Sequence, residues 1–226
     1  MPSDDVYKLF NSFMFSNDIK LLGKMLHRFN FFNRVKDLPG DIVEIGVYKG
    51  SGIATFSKFI EIFCPHSNKK VLGFDIFDNP SKSEILDKDG AFDTTTMNIV
   101  YSKVPEEELS LQSVEERLNG MQIHKKHQLI KGDVEESLPR YLKENPGFRI
   151  SLLYIDVDLD RPTYSSLKYL WDRILPGGII VFDEYEYHKF SESNGVERFL
   201  KERGLDYCLK STDWIAPTAY ILKKTF

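Results

Sequence analysis

The segment from Asp41 to Gly52, DIVEIGVYKGSG, constrains the fold of this chain more than any other. An apolar run ends in an acid and is followed by spaced glycines and then by a segment compatible with a helix. In α/β proteins such a strand-to-helix turn forms a cradle for a small molecule. Glycine lets the backbone approach a ligand where a Cβ atom would clash. The segment therefore predicts a cofactor-binding turn.

The spacing of the glycines narrows the choice of cofactor. A dinucleotide-binding turn needs Gly-x-Gly-x-x-Gly, but the nearest match begins at Gly50 and has Thr55 where the last glycine should be. The pattern Glu-x-Gly-x3-Gly-x-Gly instead suits a nucleoside with little phosphate, since the carboxylate can accept from an amine or a hydroxyl. The predicted cofactor contacts in this turn are Glu44, Gly46, Tyr48, Gly50 and Gly52. The alternative is a turn that serves only tight packing of a strand against a helix.

Length and composition limit the classes of protein to consider. With 226 residues, 42% of them apolar and 28% charged, the chain fits one domain over residues 1–226 better than two small ones. A net charge of −4 and the lack of a long basic run give no general attraction for nucleic acid. The start, MPSDD, lacks the pattern of a secretory signal, and no apolar run approaches the about 20 residues that span a bilayer. We therefore expect a cytoplasmic protein that binds neither nucleic acid nor membrane.

The N-terminal segment, residues 1–38, is predicted to be helical and is rich in aromatic residues. Apolar residues recur at helical spacing between Val6 and Val35, and the pattern breaks at Ser16-Asn17-Asp18, where a second helix could begin. Such a stripe is typical of core packing or of a contact between subunits. We expect a homodimer or a higher homo-oligomer, and part of the segment could also close over the site.

Strands and helices alternate after this segment, and acids follow several of the strands. The second strand, Lys70 to Asp75, ends about where nucleotide-binding units place a carboxylate on ribose hydroxyls, so Asp75 is the predicted ribose ligand. Asp133 follows the third strand and is predicted either to meet the exocyclic amine of a purine or to cap the next helix. Alternation with short connections predicts a parallel, doubly wound sheet with ligands at the carboxyl ends of its strands.

Two later strands, residues 150–156 and 179–183, end in Asp156 and Asp183, and residues 206–211 and 218–223 are predicted to form an antiparallel hairpin. If the strands that end in Asp156 and Asp183 are neighbours about 4.8 Å apart, these two carboxylates converge at one edge of the sheet. Close carboxylates repel unless a cation neutralises them, and Mg2+ suits oxygen ligands better than zinc does. The alternative is that both acids cap the segments that follow them.

Residues 79–120 interrupt the alternation of strands and helices. They are rich in Gly, Ser, Thr, Asp and Lys up to Asn98, and long loops inside compact domains are usually functional or disordered. We predict a lid or acceptor loop there, followed by a charged helix from about Pro105 to Leu118.

This layout resembles the class I S-adenosylmethionine-dependent methyltransferases, and most of all the macrocin O-methyltransferase family, which methylates sugar hydroxyls of antibiotics and related glycosides. The residues that carry the resemblance are PGDIVEIGVYKG from Pro39, Phe74-Asp75, IDVDLDRPT from Ile155, and LPGG from Leu175 followed by Asp183-Glu184-Tyr185. The resemblance implies a Rossmann-like, mostly parallel, seven-stranded sheet with an antiparallel last strand and additional N-terminal helices.

The resemblance also implies the chemistry. The methyl donor would be S-adenosylmethionine, which leaves as S-adenosylhomocysteine, and the acceptor would be a sugar or a glycosylated small molecule. Asp156, Asp183 and Glu184 match the Mg2+ ligands, Asp158 matches the base, and Asp156 also faces the cofactor. An ordinary Asp, with a pKa of about 3.9, is a weak base towards an alcohol, so a cation that stabilises the developing alkoxide would help Asp158 or Asp156 to take the proton. The family usually has Asp-Asp where this chain has Asp183-Glu184.

Other functions remain open from the residues alone. A catechol-type acceptor could use the same metal and base, because two adjacent hydroxyls also chelate an ion. A nucleotide-dependent oxidoreductase would predict nicotinamide binding, which the imperfect glycine spacing disfavours. A non-catalytic module would keep the cofactor cradle without turnover.

Overall fold

The computed structural model describes residues 4–82, 86, 88–123 and 126–224. The parts of the predicted domain that fall on residues 1–3, 83–85, 87, 124–125 and 225–226 lie outside the described residues, and so do residues 83–85 and 87 of the predicted lid. The helices are α1 (Asp4–Met14), α2 (Ile19–Val35), α3 (Ser51–Phe63), α4 (Ala91–Tyr101), α5 (Glu106–Leu109), α6 (Leu111–Asn119), α7 (Val134–Glu144), α8 (Asp160–Leu170) and α9 (Glu192–Glu202). The strands are β1 (Asp41–Ile45), β2 (Val71–Asp75), β3 (His127–Lys131), β4 (Ile150–Ile155), β5 (Ile174–Phe182), β6 (Lys210–Ser211) and β7 (Ala219–Leu222).

The strands form one seven-stranded sheet with the order β3-β2-β1-β4-β5-β7-β6. Strand β1 pairs in parallel with β2 and β4, β2 with β3, and β4 with β5. Strand β7 runs antiparallel to both β5 and β6. The predicted doubly wound, mostly parallel sheet with an antiparallel end is confirmed. Because β1 to β5 are parallel, their carboxyl ends meet at one edge of the sheet, where ligands bind in open α/β sheets.

Helices cover both faces of the sheet because its central strands are apolar on both sides. Successive residues of a strand point to opposite faces. Ile42 of β1 and Tyr154 of β4 lie in the core that also contains residues of α2, α3 and α6. Val43 and Leu153, their neighbours in sequence, lie in the core that contains residues of α7, α8 and α9. Burial on both faces explains why these strands are unbroken apolar runs.

The two N-terminal helices differ in how they meet the rest of the fold. Helix α2 begins after Asp18, whose side chain accepts a hydrogen bond from the Leu21 amide at 3.1 Å, as the predicted break suggested. Its residue Phe32 is fully buried. Helix α1 buries none of its residues and exposes apolar side chains that include Leu9 and Phe10. In the described part of the chain, no helix is long and apolar enough to cross a membrane.

Of two predictions about residues 79–120, one was wrong and the other holds in part. Residues 91–101 form α4 rather than a loop, and two of the threonines that suggested a loop satisfy their hydroxyl groups within the helix. The Thr95 and Thr96 hydroxyls donate to the carbonyls of Ala91 (2.8 Å) and Phe92 (3.0 Å), one turn earlier. The predicted helix after Pro105 is divided into α5 and α6 at Ser110, whose hydroxyl accepts from the Ser113 amide and starts the second helix.

Strand β5 is longer than predicted, and the final hairpin is shorter. Ile174 already pairs with Ile150 of β4, so β5 begins five positions before Ile179, and the ladder shifts register between Ile150 and Leu152. Strand β6 contains only Lys210 and Ser211, but its antiparallel pairing with β7 is as predicted.

Candidate active site

The turn after β1 is built from residues in left-handed backbone conformations. Gly46, Tyr48 and Gly50 have φ angles of 87°, 52° and 90°. A Cβ atom on Gly46 would overlap the carbonyl oxygen of Asp156. Glycine at this position therefore allows the ends of β1 and β4 to approach each other, which brings the turn and Asp156 to the same point of the sheet edge.

Asp75 organises this turn from the end of β2. Its Oδ2 accepts hydrogen bonds from the amides of Val47 (2.6 Å) and Tyr48 (3.0 Å), and its Oδ1 accepts from the Phe77 amide (2.8 Å). Burial raises the pKa of Asp75, and these amide donors counteract part of that rise. The carboxylate is thus held in one orientation at the rim of a cavity.

A cavity lies over the carboxyl ends of β1, β2, β3 and β4. The predicted site residues that line it are Gly46, Tyr48, Asp75, Asp133, Asp156 and Asp158. Residues of the predicted lid region form another part of its wall, namely Pro80, Leu86, Met97, Tyr101 and Leu109. The remaining predicted site residues, which do not line this cavity, are Glu44, Gly50, Gly52, Asp183 and Glu184.

The carboxylate of Asp133 is already engaged by protein groups. Its Oδ1 accepts from the Glu135 amide at 3.0 Å and caps α7, which is the alternative role that the sequence left open. The guanidinium of Arg161 approaches its Oδ2 to 3.0 Å, and the Lys88 ammonium lies 3.3 Å from the same atom. Arg161 also pairs with Asp89 at 2.9 Å, which ties the predicted lid region to the start of α8.

The acids after β4 and β5 converge as their neighbouring strands predicted. The Lys24 ammonium on α2 donates to Asp156 Oδ2 at 2.9 Å and to Asp183 Oδ2 at 2.8 Å. The other oxygen of Asp183 accepts from the Tyr154 hydroxyl at 2.5 Å. Burial lowers the pKa of Lys24, but the carboxylates of Asp156 and Asp183 outweigh it and raise that pKa above its ordinary value.

Glu44 belongs to the same charged network but does not line the cavity. Its Oε1 accepts from Arg28 Nη2 at 3.0 Å, and the same guanidinium nitrogen lies 3.6 Å from Asp156 Oδ2. A Cβ atom on Gly52 would overlap the Glu44 carboxylate. Position 52 therefore requires glycine, because a side chain there would collide with the ion pair of Arg28 and Glu44 beneath the start of α3.

More carboxyl groups crowd around this network. Burial, and then the charges of Asp156 and Asp183, raise the pKa of Asp158 well above its ordinary range. Asp158 also adopts a left-handed φ of 65°, which is uncommon outside glycine. Burial and Asp183 raise the pKa of Glu184 to about 7. Glu192 at the start of α9 is fully buried, and its Oε1 accepts from the Glu184 amide at 3.1 Å.

The fit of this cluster to Mg2+ is partial. In the described ranges, no three His, Cys, Asp or Glu side chains are grouped so that they could hold a metal ion together. However, Asp156 Oδ2 and Asp183 Oδ2 already meet at one cation, the Lys24 ammonium. Glu192 Oε2 is buried and has no hydrogen-bond partner among the described residues. The donor set is oxygen only and rich in negative charge, which suits a hard cation.

Lys24, Arg28, Arg161 and Glu192 were not predicted as site residues. The available signal for the first two was a pair of cations four positions apart in the apolar stripe of α2, since such residues share one face of a helix. Arg161 lies inside the segment IDVDLDRPT, where an arginine beside Pro162 indicates no more than the start of a helix. An acid at a helix start, such as Glu192, is too common to indicate a site.

Comparison with known proteins gives a family match for most of the chain. The family model described as macrocin-O-methyltransferase matches residues 25–220. No curated protein matches the chain in sequence.

Solved structures of methyltransferases have the same fold. The calicheamicin methyltransferase CalS11 is 26% identical, with a TM-score of 0.77 over 98% of this chain and 86% of that chain. A second structure of CalS11, described as a TDP-rhamnose 3'-O-methyltransferase, is 25% identical with a TM-score of 0.74 and the same coverage. The O-methyltransferase NovP is 18% identical over 88% of this chain and 80% of that chain, with a TM-score of 0.72, and this similarity concerns the fold alone.

Proposed function

This chain belongs to the macrocin-O-methyltransferase family of S-adenosylmethionine-dependent enzymes, and we propose that it methylates a hydroxyl of a sugar or glycosylated small molecule with the help of Mg2+. The observation that carries the proposal is the meeting of Asp75, Asp156 and Asp158 around one cavity, with Asp183 beside them. These residues come from three strand ends, and together they provide a nucleoside ligand, a cation site and a base.

The cofactor is proposed to lie along the turn after β1. Asp75 is oriented by the Val47 and Tyr48 amides and can accept from ribose hydroxyls. Gly46 and Tyr48 line the same cavity, and Gly50 and Gly52 act on it indirectly by shaping the turn and the start of α3. Glu44 acts through Arg28 rather than by direct contact, because its carboxylate is buried against that guanidinium.

Asp133 is proposed to line the adenine end of the cavity without being a principal hydrogen-bond acceptor for the adenine. Its carboxylate lines the cavity, but the Glu135 amide and the Arg161 guanidinium already bind its oxygens. It can accept from an exocyclic amine only as a further interaction. Capping of α7 is therefore its principal role.

Asp158 is proposed as the base. Burial of Asp158 raises its pKa and makes its carboxylate a stronger proton acceptor than an ordinary Asp. When bound, S-adenosylmethionine would supply the methyl group to the acceptor oxygen with loss of its carbon–sulfur bond, and Asp158 would take the proton of the acceptor hydroxyl. Asp156, which lies in the same wall of the cavity, orients the donor and the ion site.

Asp156 and Asp183 are proposed to hold Mg2+, with Glu184 as the third ligand. When bound, the ion supplies positive charge that stabilises the developing alkoxide and neutralises the acids around it. Glu184 is one methylene longer than the Asp found in the family at this position, so its carboxylate can reach the site from further away. The two aspartates can converge on one cation, as their contacts with Lys24 demonstrate.

Two segments are proposed to shape and assemble the enzyme. Residues 79–120 supply Tyr101 and Met97 to the cavity wall, which supports a role as acceptor lid. Helix α1, within residues 1–38, carries an exposed apolar face that supports a role as a dimer element.

A methyl-transfer assay tests the proposal. The purified chain is incubated with S-adenosylmethionine and a panel of nucleoside diphosphate sugars, including TDP-rhamnose, and simple glycosides and catechols. We expect mass spectrometry to detect a methyl ether of a sugar and S-adenosylhomocysteine, with loss of activity in EDTA and recovery with Mg2+. Cofactor binding without turnover on any acceptor would favour a non-catalytic module, and full activity in EDTA would show that the metal assignment is wrong.

A further inference from the structure

Helix α2 projects a lysine into the space between the two aspartates proposed as metal ligands. Lys24 Nζ lies 2.9 Å from Asp156 Oδ2 and 2.8 Å from Asp183 Oδ2. The Lys24 side chain is 21% exposed, so it is partly and not fully buried. The ammonium occupies the point at which both carboxylates present an oxygen.

The arrangement is supported from both sides. Arg28, one turn further along α2, holds Glu44 at 3.0 Å and keeps this face of the helix against the sheet. The Tyr154 hydroxyl donates to Asp183 Oδ1 at 2.5 Å, which leaves Asp183 Oδ2 directed at the Lys24 ammonium. The ammonium thus meets a site whose geometry is set by other residues.

We propose that Lys24 is a tethered cation that competes with a divalent ion for Asp156 and Asp183. This inference rests on the proposed magnesium site. Two cations cannot share the space between these oxygens, because like charges a few ångströms apart repel strongly where water is scarce. When the divalent ion enters, the ammonium must leave, and the flexible lysine side chain can swing towards solvent.

The competition has a quantitative consequence. A ligand binds only the fraction of molecules in which its site is free, so its apparent affinity is reduced by that fraction. If the ammonium occupies the site in nine molecules of ten, removing it improves divalent-ion affinity about tenfold. Before the ion binds, the Lys24 ammonium therefore neutralises part of the negative charge of Asp156 and Asp183. Because the ion must displace it, ion binding is weaker and more easily reversed.

Metal binding tests the proposal directly. Mn2+ is titrated into the full chain, bound ion is measured by electron paramagnetic resonance, and Mg2+ is then added as competitor. We expect Lys24→Met to bind about tenfold more tightly than the parent. Lys24→Arg, which keeps the charge, and Lys58→Met, which removes an exposed charge from α3, should match the parent. If Lys24→Met does not fold, as judged by circular dichroism, Lys24→Gln takes its place.

A second measurement needs no variant. Acetylation of lysines by an activated ester is followed by peptide mass spectrometry with and without Mg2+. We expect Mg2+ to increase the labelling rate of Lys24, because its amine is released from the carboxylates, and to leave that of Lys58 unchanged.

The possible failures are distinct. Parent-like binding by Lys24→Met, or no change in Lys24 labelling although Mn2+ binds, would overturn the competition and leave the metal site intact. Failure of both parent and variant to bind Mn2+, with S-adenosylhomocysteine still bound, would overturn the metal site and this inference with it.

Discussion

The Arg28 guanidinium and the Glu44 carboxylate form an ion pair at 3.0 Å, although Arg28 and Glu44 expose only 6% and 1% of their surfaces. Loss of one partner leaves a buried charge without compensation. We expect Arg28→Met to lower the free energy of unfolding by about 3–5 kcal/mol. Adding Glu44→Gln to that variant should recover part of the loss, because it removes the unpaired charge.

Urea unfolding of the two single variants and the double variant measures this coupling. Arg34→Met, an exposed position on the same helix, serves as control and should change stability by no more than about 1 kcal/mol. Additive losses in the double variant would contradict a direct interaction between Arg28 and Glu44.

The position of the acids could be predicted from the sequence, but that of the cations could not. Asp156 and Asp183 each follow an apolar strand, and neighbouring parallel strands necessarily bring their ends together. Lys24 lies 132 positions before Asp156 in the chain, and no local pattern specifies how α2 is rotated against the sheet. That rotation depends on the packing of Phe31 and Phe32 in the core.

Local ambiguity explains the other differences. Asp133 satisfies the sequence rules for a helix cap and for a purine ligand equally well, and only the observed contacts with Glu135 and Arg161 favour the cap. The threonines of α4 have low helix propensity, so their hydrogen bonds to the preceding turn could not be anticipated from residue type.

Burial of Lys69 predicts an unusual dependence of stability on pH. Its ammonium donates to the carbonyls of Leu38 (2.8 Å) and Gly40 and to Ser151 Oγ (2.8 Å) at the amino end of the sheet. Burial lowers the pKa of Lys69 from 10.5 to about 8. The folded state therefore releases this proton first, and its contribution to stability rises as pH increases from about 8 to 10.5.

The difference in unfolding free energy between the parent and Lys69→Met isolates this contribution. Between pH 7.5 and pH 10.5, the unfolding free energy of the parent should rise by up to about 3 kcal/mol relative to that of Lys69→Met. A pH-independent difference would show that Lys69 keeps its ordinary pKa.

Asp75 is predicted to determine cofactor affinity. Asp75→Asn weakens a charge-assisted hydrogen bond to ribose, so we expect S-adenosylhomocysteine to bind about 10–100-fold more weakly by calorimetry, with a smaller rise in melting temperature. Asp41→Asn is the matched control, because Asp41 also accepts a backbone hydrogen bond, from the Lys70 amide at 2.8 Å, but at the opposite end of the sheet. Equal binding by Asp75→Asn and the parent would remove the ribose assignment.

Helix α1 is predicted to mediate self-association. Leu9 and Phe10 are 72% and 57% exposed, and burial of such side chains between subunits would be favourable. We expect the parent to sediment as a dimer or larger and Leu9→Glu with Phe10→Glu to shift it towards monomer. Ile62→Glu, at a position that is 66% exposed on α3, should leave the assembly unchanged. A monomeric parent would contradict the prediction.

Asp158 is predicted to accept the proton of the acceptor hydroxyl. Asp158→Asn keeps the shape of the side chain but cannot take a proton, so kcat should fall by about 10²–10⁴-fold while the affinity for S-adenosylhomocysteine stays the same. Asp160→Asn is the control, because Asp160 lies two positions further on and pairs with Arg198 at 2.6 Å near the surface. If Asp158→Asn retains activity and Asp156→Asn loses it without loss of bound Mn2+, then Asp156 is the base. Both aspartates line the same cavity, so this comparison separates the proton acceptor from the residue that positions donor and ion.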